Sequence, residues 1–133
     1  MPRAAHVLIV DDELPIRRIV TRWLRAWGYD VTSAESAIEA LGVMAAKPAD
    51  IMLCDVTMPE HDGFWLAERV RAQWPQTAIV MATALDDVQT VRKSRRLGAV
   101  DYVTKPFNNT LLRQALDRAF GTAQFRPSAR RDS

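Results

Sequence analysis

The 133-residue chain contains one cysteine, two histidines and five glycines, and each scarcity excludes something. A single thiol, Cys54, cannot close an internal disulfide, and Cys54 with the distant His6 and His61 makes no zinc set. Long apolar runs are missing too. Stretches such as Ala78–Ala82 are far too short to cross a bilayer. The apolar run Val7–Val10 ends in Asp11 and Asp12, which no signal peptide does. Hydrophobic residues at 48% and charged residues at 26% argue against a disordered or low-complexity chain. What remains is a cytoplasmic domain, with a chain long enough to bury its own core.

An excess of one charge is also nearly absent: 18 basic residues face 16 acidic ones, a net charge of +2. An isoelectric point near 9.0 nevertheless invites a nucleic-acid reading. Three of the basic residues (Arg126, Arg130, Arg131) and one acid (Asp132) lie in 121–133, which leaves 15 of each in 1–120. The body is neutral. Residues 121–133, with Gly121, Pro127 and no apolar period, read as a flexible basic tail or the start of a linker. Residues 1–120 read as one domain, and neither direct nucleic-acid binding by 1–133 nor a membrane contact is expected.

What is present is an alternation of short apolar runs and helix-period segments. Val7–Val10 reads as a strand, followed by Ile16, Ile19, Val20, Trp23, Leu24 and Trp27 on one helical face, with Gly28 as its stop. Tyr29–Thr32 suits a short strand. Ser36 and Glu39 form a capping-box pattern opening a helix through Ile38, Leu41 and Met44. Ile51–Cys54 reads as a buried strand, Phe64–Trp74 as a helix burying Leu66, Ala67 and Val70, and Ala78–Met81 as another strand. A polar helix over 87–97, a strand Val100–Val103 and a helix with Leu111, Leu112, Ala115, Leu116 and Ala119 on one stripe complete the chain. Five strand–helix pairs without a hairpin signal predict an α/β fold with a parallel sheet covered on both faces.

Ligands in such sheets bind beyond the carboxyl ends of the strands. The first strand ends at Asp11, Asp12 and Glu13, the third at Asp55, the fourth at Thr83 and the fifth at Lys105–Pro106. Clustered aspartates cannot all stay ionised without a cation, and an all-oxygen set with few carboxylates favours Mg²⁺. Three aspartates, one divalent ion and one lysine balance in charge, and they offer a metal, an ammonium and a hydroxyl to a phosphoryl group. A carboxylate is then the nucleophile, as no serine–base or cysteine–base pair is evident. Each residue alone has a bland explanation: acids after a strand cap helices, and Lys-Pro is an ordinary loop. Complementary chemistry at all four strand ends is harder to explain so.

Val7–Glu13 (VLIVDDE), Asp55–Gly63 (DVTMPEHDG), Met81–Ala84 (MATA) and Asp101–Phe107 (DYVTKPF) resemble the response-regulator receiver domain of two-component signalling, over His6 to Phe120. The resemblance implies a five-stranded flavodoxin-like sheet in the order 2-1-3-4-5. It implies Asp55 as phosphoacceptor and Asp12 as a direct Mg²⁺ ligand. Asp11 then acts mainly through water, and Thr57 supplies a backbone carbonyl. It further implies Lys105 as the cation on the acceptor, Thr83 and Tyr102 as a switch pair, Thr57 and Leu85 as rate-tuning positions, and a cis Lys105–Pro106 bond. The implied partners are a histidine kinase or histidine phosphotransfer protein, then a downstream protein or a second copy at the helix 4–strand 5–helix 5 face.

Several residues are individual to this chain. Trp65 reads as lying flat across its neighbours or as a partner anchor. Arg92, Lys93, Arg95 and Arg96 form either a solvated helix face or a docking patch. His61 suits a surface loop, and Cys54 a small buried hydrophobe. A phosphoacceptor switch is the expected function, alone or as the receiver of a longer regulator with a DNA-binding or enzymatic output domain. A small-molecule phosphohydrolase working through an aspartyl phosphate stays as the enzyme alternative, although Thr57 stands where its second acid belongs.

Overall fold

The computed structural model describes residues 4–84 and 88–125. Five strands alternate with five helices: β1 (His6–Val10), α1 (Leu14–Ala26), β2 (Asp30–Ala34), α2 (Ala37–Ala46), β3 (Ile51–Asp55), α3 (Gly63–Gln73), β4 (Ala78–Thr83), α4 (Val88–Arg96), β5 (Asp101–Thr104) and α5 (Asn109–Phe125). All pairings are parallel, and the sheet order is β2-β1-β3-β4-β5. The parallel α/β sheet expected from the alternation, and the flavodoxin-like strand order implied by the resemblance, are the ones observed.

Strand periodicity builds two cores. Val7, Ile9, Ile51, Leu53, Val80 and Ala82 point to one face, where α1 (Val20, Leu24) and α5 (Leu112, Ala115, Leu116, Ala119) cover them. Leu8, Val10, Met52, Cys54, Ile79 and Met81 point to the other, against α2 (Ala37, Ala40, Met44) and α3 (Leu66, Ala67, Val70). Because the central strands are covered on both sides, they are continuously apolar rather than alternating. Each fully buried leucine contributes about 2–3 kcal/mol of transfer free energy. Among the described residues no helix is long and apolar enough to cross a membrane.

Local rules set the helix ends. Ser36 Oγ accepts from the Glu39 amide at 3.1 Å, as expected, but the Glu39 carboxylate accepts from Glu35 N rather than from the cap itself. Asp62 caps α3 by accepting from Trp65 N at 2.9 Å. Some expectations need correction. Tyr29 does not begin β2: Gly28, at φ +95°, turns the chain so that Tyr29 N bonds Leu24 O, and β2 starts at Asp30. Ile38 and Leu111 are 57% and 59% exposed, because α2 and α5 turn Ala37/Ala40 and Leu112/Ala115 inward instead. Helix α5 also carries on through Phe125, past the Phe120 boundary expected for the domain; residues 126–133 of the expected tail lie outside the described residues.

The sheet order positions the site. From β1 the chain turns first to β2 on one side and then crosses to β3 on the other, so a crevice opens beyond the ends of β1 and β3. Asp11 and Asp55 occupy those two ends.

Candidate functional site

Asp11 follows β1 directly, its amide bonded to Ala34 O at 3.1 Å. Its carboxylate accepts from Glu13 N at 2.9 Å, and Arg17 Nη1 donates to its backbone carbonyl at 2.7 Å. Asp55 is the last residue of β3 and is buried; its Oδ1 accepts from Thr57 N at 3.3 Å. Gly63 makes this placement possible, since a Cβ there would collide with the Asp55 carbonyl oxygen.

Lys105 enters from the end of β5. Its amide bonds Thr83 O at 2.9 Å, and the Lys105–Pro106 bond is cis, as expected. Nζ lies 2.6 Å from Asp11 Oδ2, 3.2 Å from Asp55 Oδ2 and 3.7 Å from Glu13 Oε1. Asp11 is therefore its nearest partner, ahead of the acceptor carboxylate that the resemblance implied. Carboxylate oxygens of Asp11, Asp12 and Asp55 lie within 4.8 Å of one another, Asp12 being the exposed member.

The electrostatics follow from this crowding. Burial pushes the Asp55 carboxyl up to about 6; Lys105 opposes the shift and the charge of Asp11 adds to it. Burial works against the Lys105 charge, but Asp11 and Asp55 outweigh it and hold the ammonium above its ordinary range. Burial likewise keeps the neighbouring Cys54 thiol protonated, the role of a small hydrophobe. Three carboxylates against one ammonium leave a deficit of positive charge in an oxygen-only cluster. The donor set fits a hard divalent cation that retains some water, Mg²⁺ above all.

Asp11, Asp12, Asp55 and Lys105 are thus brought together, with Thr57 and Thr83 joined through backbone hydrogen bonds. Thr83 is buried at the end of β4. Tyr102 is half-buried on β5, opposite Met81 in the sheet. Leu85 lies outside the described residues. Trp65 lies flat, stacked on His61 with centroids 3.8 Å apart and under the Arg69 guanidinium at 3.7 Å. Three residues of the site have no role in the sequence reading. Glu13 is visible there only as the third acid of a run, and Gly63 as the end of a motif. Arg17 leaves no signal, because what it holds is a backbone carbonyl.

Comparison with known proteins gives a consistent result. The family model "Response regulator receiver domain" matches residues 7–117. The transcriptional regulatory protein ZraR of Salmonella typhimurium is 36% identical over 113 residues, covering 85% of this chain and 26% of that one. The probable transcriptional regulator ycf27 of Cyanidium caldarium is 41% identical over 106 residues, covering 80% and 42% respectively. The chain thus spans between about a quarter and two-fifths of these relatives. Among solved structures, chemotaxis protein CheY4 of Vibrio cholerae superposes with a TM-score of 0.83 at 34% identity, covering 87% of this chain and 98% of that one. The signal receiver domain of an HD domain-containing protein from Pseudomonas fluorescens gives 0.88 at 26% identity, covering 93% and 100%. Two of these relatives are transcriptional regulators by name, so the expectation that residues 1–133 make no nucleic-acid contact gains no support from them.

Proposed function

The chain belongs to the response regulator receiver domain family of two-component signalling, and from that premise we propose that it is a phosphoacceptor switch charged on Asp55. The donor is a histidine kinase or histidine phosphotransfer protein. The observation carrying this reading is the oxygen-only cluster of Asp11, Asp12 and Asp55, with Lys105 shared between two of them. Bound by Asp11, Asp12, Asp55 and the Thr57 carbonyl, Mg²⁺ supplies neutralising charge for the phosphoryl oxygens.

The remaining work belongs to the chain. An Asp55 carboxylate oxygen attacks phosphorus in line; the O–P bond forms as the P–N bond breaks, and the electron pair leaves on the imidazole nitrogen. Lys105, already within 3.2 Å of Asp55, turns to the phosphoryl oxygens. Thr83 donates its hydroxyl to the same group, and Tyr102 swings inward behind it. The α4–β5–α5 face changes, and a downstream protein or a second copy reads it. Water attack on phosphorus later breaks the O–P bond, releases inorganic phosphate and restores Asp55, with Thr57 and Leu85 setting the access of water. The domain acts in signalling, and this turnover of its own phosphoryl group is its only chemistry.

A second layer is favoured by coverage. The chain spans 26% of one relative and 42% of another, which supports its being the receiver portion of a longer regulator with a DNA-binding or enzymatic output domain. The coding sequence beyond Ser133 decides that. The phosphoacceptor reading is tested with acetyl phosphate as a generic donor, followed by intact mass. One phosphoryl group is expected with Mg²⁺, none in excess EDTA and none in Asp55→Asn; incorporation indifferent to both changes would overturn it.

A further inference from the structure

Helix α4 carries four basic residues and no acid. Lys93 is diverted, its ammonium 4.6 Å from the Phe64 ring. Arg92, Arg95 and Arg96 are exposed at i, i+3 and i+4, and with Gln89 they line an open hollow of about 420 Å³. Among the described residues no carboxylate pairs with any of the three. Asp101, the acid that borders a neighbouring hollow with Arg95, is already taken. Arg118 donates to its Oδ2 through Nε at 2.9 Å and Nη2 at 2.7 Å, and Tyr102 N donates to its Oδ1 at 2.8 Å. Among the described residues, three guanidinium groups thus share one helical face without a carboxylate partner, in a body whose 15 basic residues, these three included, equal its 15 acidic ones.

We propose that this face of α4 docks a short acidic segment of a partner protein. Guanidinium forks pair bidentately with carboxylates, and the aliphatic stems that line the hollow suit a peptide backbone. An apolar residue of the same segment has a place nearby, since Tyr102 borders both the Arg95 hollow and a second one of about 210 Å³ beside the exposed Leu111. Nucleic acid fits less well. Duplex binding neutralises many phosphates along an extended track, whereas this charge is confined to a helix only about 13 Å long on a neutral body. The switching of this surface rests on the receiver reading; the docking itself does not.

Fluorescence anisotropy of the full chain with a labelled Glu-rich peptide containing one Leu tests the proposal. A Lys-rich version of the peptide and a DNA duplex are the competing probes. Arg92→Glu/Arg96→Glu should weaken the acidic peptide by roughly tenfold or more, and Arg92→Lys/Arg96→Lys should keep most of the affinity. Circular dichroism of both variants guards against misfolding. Equal peptide binding by wild type and the Glu variant, or tighter binding of the duplex than of the peptide, would overturn the proposal. Phosphate incorporation from acetyl phosphate is measured in parallel on the Glu variant and is expected unchanged. Its absence in every form, wild type included, would count against the receiver reading and leave the docking result standing on its own.

Discussion

Replacing Asp55 by Asn should stabilise the metal-free protein at neutral pH and leave it unchanged in acid. Burial, opposed by the Lys105 ammonium and reinforced by the charge of Asp11, lifts the Asp55 carboxyl from an ordinary 3.8 to about 6. That distance corresponds to about 3 kcal/mol at about 1.4 kcal/mol per pKa unit, and the side chain is only 7% exposed, so solvent screens little of it. The sign follows from proton binding. A carboxyl whose pKa is raised by folding holds its proton more tightly in the native state, so the associated stability is complete below about pH 4 and is lost as pH rises through about 6. The side-chain amide of the Asp55→Asn variant has no proton to lose. Urea melts in excess EDTA should therefore show the variant's advantage opening from near zero at about pH 4 to about 2–3 kcal/mol at pH 7–8, or roughly 10 °C in Tm. Mg²⁺ should close the gap from the wild-type side, adding about 2.7 kcal/mol at a hundredfold excess over Kd. Parallel stability curves for the two proteins across this pH range would refute the reasoning.

Lys105→Met removes the cation shared by Asp11 and Asp55, so phosphorylation by acetyl phosphate should slow about a hundredfold; a rate within twofold of wild type would contradict the assigned role. Gly63→Ala drives a Cβ into the Asp55 carbonyl oxygen and should cost about 1–3 kcal/mol in urea melts while impairing Mg²⁺ binding. Wild-type behaviour in both would show that the α3 start does not position the acceptor. Leu116→Ala, buried between α5 and the sheet, should cost about 2–5 kcal/mol. Its phosphorylation rate under native conditions should not change.

How much of this is legible in the residues varies from element to element. β1, β3 and β4 announce themselves because two-sided burial makes them continuously apolar. β2 is an edge strand with mixed exposure, and its signal is weak enough that Tyr29 reads as part of it. In the structure Tyr29 belongs to the α1 stop, and its hydroxyl donates to Asp117 at 2.8 Å, a tie spanning 88 positions that no local pattern can reveal. Helix periodicity locates α2 and α5 but not their rotation. Ile38 and Leu111 stay outside, while Ala37 and Ala40 of α2 and Leu112, Ala115 and Leu116 of α5 face the sheet. At the site, Asp11, Asp12, Asp55, Thr83 and Lys105 are legible because strand ends carry them to one edge. That Lys105 sits nearer Asp11 than Asp55, and that Arg17 braces the loop, depend on side-chain reach across the crevice.

Locating the phosphoryl group is the most direct test of the account. Protein treated with acetyl phosphate and Mg²⁺ is reduced with borohydride, which converts an acyl phosphate to an alcohol, and the product is mapped by peptide mass spectrometry. The account predicts homoserine at position 55 and nowhere else, lost when Mg²⁺ is withheld. Modification at another carboxylate, or at a serine, threonine or histidine while Asp55 stays intact, would contradict it.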